Sequence, residues 1–144
     1  MEAWVFTCSD SPLEHWMDGF EDRFDAWEEG GVRGLVVGRM AFRQDDGSTI
    51  PAYAPDPKVY EALGAEAPES RPRDLQKEKK LQAMLDNAAA RGWRILIFSG
   101  TGSTAHVQDQ MNIFPQVHGV IADGPGENHY ELAFHHGGEL LEIR

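Results

Sequence analysis

Short apolar runs alternate along this chain with longer stretches in which apolar residues recur every three or four positions. That alternation predicts strands and helices in turn. The first run, residues 4–8, predicts a buried strand. Ser9, Asp10, Ser11 and Pro12 break it; Ser11 and Glu14 have capping-box spacing, and Pro12 suits the first position of a helix. Leu13, Trp16, Met17, Phe20, Phe24 and Trp27 follow at helical spacing, predicting a helix over 12–29 that Gly30 and Gly31 end. Full burial of those side chains would contribute on the order of 10 kcal/mol before entropy is subtracted.

Residues 32–42 predict the second strand. Its centre, Leu35-Val36-Val37, is apolar without alternation, as in a parallel strand covered on both faces. Residues 43–57, rich in Asp, Gly and Pro, read as a long loop. Asp56-Pro57 caps a short helix through Leu63, closed by Gly64, and 65–73 is a second Pro-rich loop. A long helix is expected over 74–91, with Leu75, Leu81, Met84, Leu85 and Ala88 on its apolar side and Gly92 as its stop. Residues 93–98 predict the third strand. A tight Gly-rich loop, 99–104, and a short helix to about Phe114 follow, and 117–122 predict the fourth strand. In the tail, two apolar pieces, 130–134 and 140–143, flank His135-His136-Gly137-Gly138, which suits a hairpin turn.

Right-handed crossovers between neighbouring parallel strands put every helix on one face of a curved sheet. The expected fold is therefore α/β, a (βα)4-type half barrel with a four-stranded parallel sheet in sequence order and a hairpin-like tail. A doubly wound sheet is the alternative. A length of 144 residues suits one domain, 1–144, with a real core. At 41% hydrophobic and 26% charged, the chain is neither disordered nor membrane-embedded in character. No apolar run is long enough to cross a bilayer, and no export signal is recognisable at the N-terminus. Cys8 is the lone cysteine, which excludes an internal disulfide and fits a cytoplasmic location. A formal net charge of -11 disfavours nucleic acid and anionic membranes as partners.

In either architecture functional groups gather at the carboxyl ends of the strands. Asp10 follows the first strand and Arg39 the second. The densest group, Asp123, Glu127, Asn128 and His129, follows the fourth on a loop shaped by Gly and Pro. Two carboxylates across a sugar bond can protonate a leaving group and activate a nucleophile, which makes Asp123 and Glu127 the candidate acid/base pair. The plainer role for both is capping backbone groups in a loop. Arg39 either holds a substrate carboxylate or pairs with Asp10. His129, Glu131, His135 and His136 lie close together, but their spacing matches no zinc signature, and surface hairpin histidines are the expectation. The Ser99–Thr104 loop resembles the flavodoxin phosphate loop in its Thr-Gly-Ser-Thr core, though it follows the third strand and lacks a P-loop lysine; a capped βα turn is the simpler reading. Neither a metal nor a cofactor is expected. Cys8 reads as a buried small hydrophobe, and Trp4, Trp16, Trp27 and Trp93 as core.

Three stretches together resemble the N-terminal half of a glycoside-hydrolase-like TIM barrel: residues 32–42, then Ile50-Pro51-Ala52-Tyr53, then 119–131. The resemblance follows the element order of nearly the whole chain. It implies a carboxylic acid at the end of the fourth strand, where Asp123 and Glu127 stand. The common direction of the parallel strands, independently of the resemblance, is expected to bring Asp10 and Arg39 to the same end, and Asp10, Arg39, Asn128 and His129 are the expected substrate-binding residues. The resemblance implies a catalytic partner from a later strand, which a second copy of the chain would have to replace. A homodimer is therefore expected, with apolar sheet faces and unpaired first and fourth strand edges brought together. A noncatalytic assembly or binding domain on the same scaffold, or a phosphate- or flavin-binding doubly wound domain, are the alternatives. The tail, 130–143, capping an edge within one chain is the competing outcome for assembly.

Overall fold

A computed structural model describes residues 3–6, 19–38, 40–99, 104–123, 130–136 and 139–143. Strand β1 (Ala3–Phe6) opens the chain, and a 3-10 turn (Glu21–Arg23) leads into helix α1 (Phe24–Glu29). β2 (Val32–Val37) precedes a small hairpin of β3 (Ala41–Arg43) and β4 (Thr49–Pro51). Helices α2 (Pro57–Ala62) and α3 (Leu75–Ala90) lead to β5 (Arg94–Ser99), and α4 (Thr104–Ile113) leads to β6 (Gly119–Asp123). β7 (Tyr130–His136) and β8 (Glu139–Ile143) end the chain.

Among these residues one six-stranded sheet forms in the order β1-β2-β5-β6-β7-β8. Its first four strands are parallel and in sequence order, as expected. The order never reverses among them, whereas a doubly wound sheet needs a reversal at its switch point. The tail is the expected hairpin, and it extends the sheet: β7 runs antiparallel along the whole of β6, and β8 along β7. The edge of β6 that was expected to be open is therefore paired within the chain, and the sheet's edges are β1 and β8.

Register divides the parallel strands into two unlike faces. Leu35 lies beside Ile95, and Val37 beside Ile97, which lies beside Val120. All five are fully or almost fully buried and join one core with Phe24 of α1, Leu81, Met84, Leu85 and Ala88 of α3, and Val107 and Met111 of α4. Trp4, Phe6, Val36, Leu96, Phe98 and Ile121 take the alternate positions on the opposite face. There Val36 is buried, Leu96, Phe98 and Ile121 are half-buried, and Phe6 and Trp4 are 59% and 37% exposed. The expectation of a buried first strand is thus corrected. Among the described residues β1 pairs with β2 alone, and it turns Phe6 away from the helix-covered core.

Local differences from the sequence reading have local causes. Of the helix expected over 12–29, residues 12–18 lie outside the described residues; Gly19 adopts φ +71°, a left-handed conformation that does not belong to a helix, and the helical part that follows runs from Glu21 to Glu29. Phe20 and Phe24 are buried and Trp27 partly so, while Trp16 lies outside the described residues. The long second strand divides after Val37, and the expected loop 43–57 holds the β3–β4 hairpin. Its turn is set by Asp46, whose carboxylate accepts from the Ser48 N–H at 2.9 Å, and by Gly47 at φ +87°. Asp56 and Asp74 cap α2 and α3 by accepting from the Lys58 and Lys77 N–H groups at 3.0 and 3.1 Å. Leu75 was expected on the apolar side of α3 but is 64% exposed. It stands six residues before Leu81, about 240° around the helix and so off the buried stripe.

Candidate functional site

Because β1, β2, β5 and β6 run parallel, their carboxyl ends share one edge of the sheet. Phe6 pairs with Val36, Val37 with Ile97, and Ser99 with Ala122, so Asp123 stands one residue beyond Ser99 on that edge. Asp123 closes β6 and pairs with Tyr130 of β7. Of the six residues expected to act on or bind a ligand, Asp123 is the one whose backbone is described; Glu131, His135 and His136, weighed for a metal, lie along β7. Asp10, Arg39, Glu127, Asn128 and His129 lie outside the described residues, as do Cys8 and positions 100–103 of the Gly-rich loop. Among the described residues no group of three or more His, Cys, Asp and Glu side chains is placed to hold a metal ion, and no helix is long and apolar enough to cross a membrane.

A second polar group was not foreseen. It lies between α4, which follows β5, and the segment 53–60, which follows the β3–β4 hairpin. Asp109 is fully buried and Gln110 nearly so. Asp109 Oδ1 accepts from the Asp56 N–H at 3.1 Å, while Oδ2 has no hydrogen-bond partner. The Tyr60 hydroxyl is near enough to interact with this carboxylate and lies 3.3 Å from His106 Nδ1, one turn earlier on α4. Tyr53 packs edge-on against Phe114 at 5.6 Å and beside His106 at 6.5 Å. Gln110 lies beside the Tyr53 hydroxyl, and its Oε1 is buried without a partner.

Burial governs the ionisation of this group. It raises the Asp109 carboxyl above the ordinary carboxylate range, against the opposing effect of the hydrogen bond from the Asp56 N–H and of the nearby Tyr60 hydroxyl. Burial, with the Asp109 charge second, pushes the Tyr60 phenol up to about 12, and burial, with the Tyr60 charge second, holds the Tyr53 phenol higher still. It lowers His106, which favours the neutral ring. A carboxylate sealed from solvent cannot touch a substrate in this conformation. The sequence signal was His106 and Asp109 three residues apart on a short helix otherwise buried through Ala105, Val107 and Met111. That spacing places them on one face but does not name the tyrosines, which come from a segment about fifty residues earlier.

At the opposite, amino-terminal edge, the His118 N–H donates to the Ile95 carbonyl at 2.8 Å, and His118 Nδ1 accepts from the Ile95 N–H at 3.1 Å. This pairing extends the β5–β6 ladder by one residue and is structural. No family model, curated protein or solved structure matches this chain.

Proposed function

We propose that this chain is a glycoside-hydrolase-like half barrel whose ligand is a carbohydrate bound across the carboxyl edge of the sheet. Asp123 and Glu127 are the acid/base carboxylates, and Asp10, Arg39, Asn128 and His129 contact the sugar. The observation that carries this reading is the parallel part of the sheet. Its four strands wind in sequence order, its helices cover one face, and the other face is apolar yet only partly covered, as the interior of a barrel is before closure. Asp123 ends the fourth strand, where the resemblance puts the catalytic acid. One carboxylic acid would protonate the glycosidic oxygen while the other carboxylate attacks the sugar or activates water, the separation of the two deciding between retention and inversion. A second copy of the chain covers the open apolar face and brings a second pair of carboxylates.

One observation favours a second reading, a noncatalytic binding or assembly domain. Beyond β6 the sheet continues with antiparallel strands, where a barrel would add a parallel strand carrying the partner nucleophile. A panel of oligosaccharides and chromogenic aryl glycosides separates the two, run on the chain and on its Asp123→Asn and Glu127→Gln variants. Turnover lost in both variants with binding retained supports the catalytic reading. Binding without turnover in the unmodified chain selects the assembly domain. Turnover unchanged in both variants removes the acid/base assignment, and neither binding nor turnover removes the carbohydrate.

A further inference from the structure

The seam between α2 and α4 is held by polar groups that sequence-based reasoning about the sheet does not use. Asp109 is fully buried in it, and its single geometrically clear partner is the backbone N–H of Asp56, the residue that caps α2. The same seam carries the contact between Tyr60 of α2 and His106 of α4. Docking of the segment 53–64 therefore requires a carboxyl group to leave water with one oxygen unpartnered. An ionised carboxylate loses far more by this than a protonated one.

We propose that Asp109 is a pH-sensitive latch, which holds the segment 53–64 on α4 while its carboxyl is protonated and releases that segment once it ionises. The groups facing it are the Asp56 carboxylate and N–H from the cap of α2, the Tyr60 hydroxyl from α2, Tyr53 from the preceding loop, and His106 and Gln110 from α4 itself. Asp56 acts in the same direction as burial, since its negative charge further disfavours ionisation of Asp109. His106 acts oppositely, because its buried ring resists gaining a proton and so loosens the seam in acid. The sign follows from linkage. A carboxyl raised on docking binds its proton more tightly in the docked state, so docking weakens as pH rises from 3.8 through the raised value. Each unit of elevation changes the docking equilibrium up to about tenfold. Release would uncover Tyr53, Tyr60, His106 and Asp109 together.

Hydrogen exchange of peptides covering 53–64, corrected for intrinsic rates, tests this between pH 4 and pH 8 on the intact chain. The expected result is an opening equilibrium that rises with pH in the unmodified protein, is flat across the upper part of the range in Asp109→Asn, and still rises in His106→Gln. A flat profile in His106→Gln, where the opposing titration is removed, overturns the latch, as does a rise that survives in Asp109→Asn. If that variant fails to fold, NMR titration of the Asp109 carboxyl in the unmodified chain decides: a midpoint above 3.8 supports the latch, and one at or below it overturns it.

Discussion

Replacing Phe24 by alanine is the most direct test of where the core lies. Phe24 opens α1, is completely buried, and is surrounded by rings. Phe20 meets it edge-on at 5.6 Å, Trp93 lies at 5.0 Å, Trp27 at 5.9 Å, and the Arg91 guanidinium stands 5.7 Å above its face. Truncation of a buried phenylalanine costs about 3–5 kcal/mol through lost transfer energy and the cavity left behind. The rigid aromatic neighbours cannot collapse into the space, which places Phe24→Ala in the upper half of that range. Against a domain stability of about 5–15 kcal/mol, this is a large fraction of the total. Urea unfolding followed by far-ultraviolet circular dichroism reads it as a fall in midpoint of about 2 M at an unchanged slope of about 2 kcal/mol/M. Phe6→Ala is the internal contrast: on the more open face it should cost less than about 1 kcal/mol in the isolated chain. A loss below about 1 kcal/mol at Phe24 would refute the placement of the core on the helix-covered face.

Asp74→Ala removes the cap of α3 and should lower stability by about 1 kcal/mol in the same urea assay, with Asp74→Asn close to unchanged. Gly34→Ala would place a Cβ into the Trp4 indole; Trp4 must move, at a cost of about 1–3 kcal/mol, and a red-shifted tryptophan emission should report it. His118 must be neutral to accept from Ile95, and burial, then the Arg94 charge, lower its pKa. Its contribution is therefore fully present above 6.5 and is lost as pH falls through the depressed folded-state value. The fall in urea midpoint between pH 7 and pH 5 should be smaller in His118→Gln, and an unchanged fall would mean that the Ile95 contact is not felt; His106 shifts in the same direction and accounts for part of what remains.

The parallel winding was legible because strand content is written locally. Leu35-Val36-Val37 and Ile95-Leu96-Ile97 are apolar without alternation, and chirality then restricts how helical crossovers return. Helix boundaries were legible for the same reason, through Asp56-Pro57 and the glycines at 64 and 92, while the capping role of Asp74 emerges only from the structure. The β3–β4 hairpin was missed although Asp45-Asp46-Gly47 stands between two short apolar pieces, because three-residue strands carry too little pattern to separate from loop. Gly19 was read through as part of a helix, since a lone glycine only lowers helical propensity unless the fold demands a positive φ. The polar seam was illegible for a different reason: Asp56 and Asp109 meet across 53 positions of chain, and nothing local in either segment marks the other.

Neighbour-to-neighbour winding has a consequence for assembly that the tail changes. The described helices lie on one face, and on the other stand Trp4, Phe6, Val36, Leu96, Phe98 and Ile121, of which Phe6 and Trp4 are the most exposed. Apolar surface left in water costs about 25 cal/mol for each Å², so covering this face is favourable whatever covers it. Edge pairing is a separate drive, and here β7 already satisfies β6 along its length, which removes one of the two edges on which a strand-to-strand dimer was expected. Association, where it occurs, should therefore depend more on the apolar face and on β1 than on β6. Phe6 and Trp4 belong to both the face and the edge. Phe6→Glu should lower the urea midpoint of the monomer little while abolishing any concentration-dependent mass above 16.1 kDa in sedimentation, and Trp4→Glu should abolish that mass too, with an added loss of monomer stability from the Trp4–Gly34 contact. A dimer that survives both substitutions would have to form elsewhere, and the half-barrel pairing would fail with it.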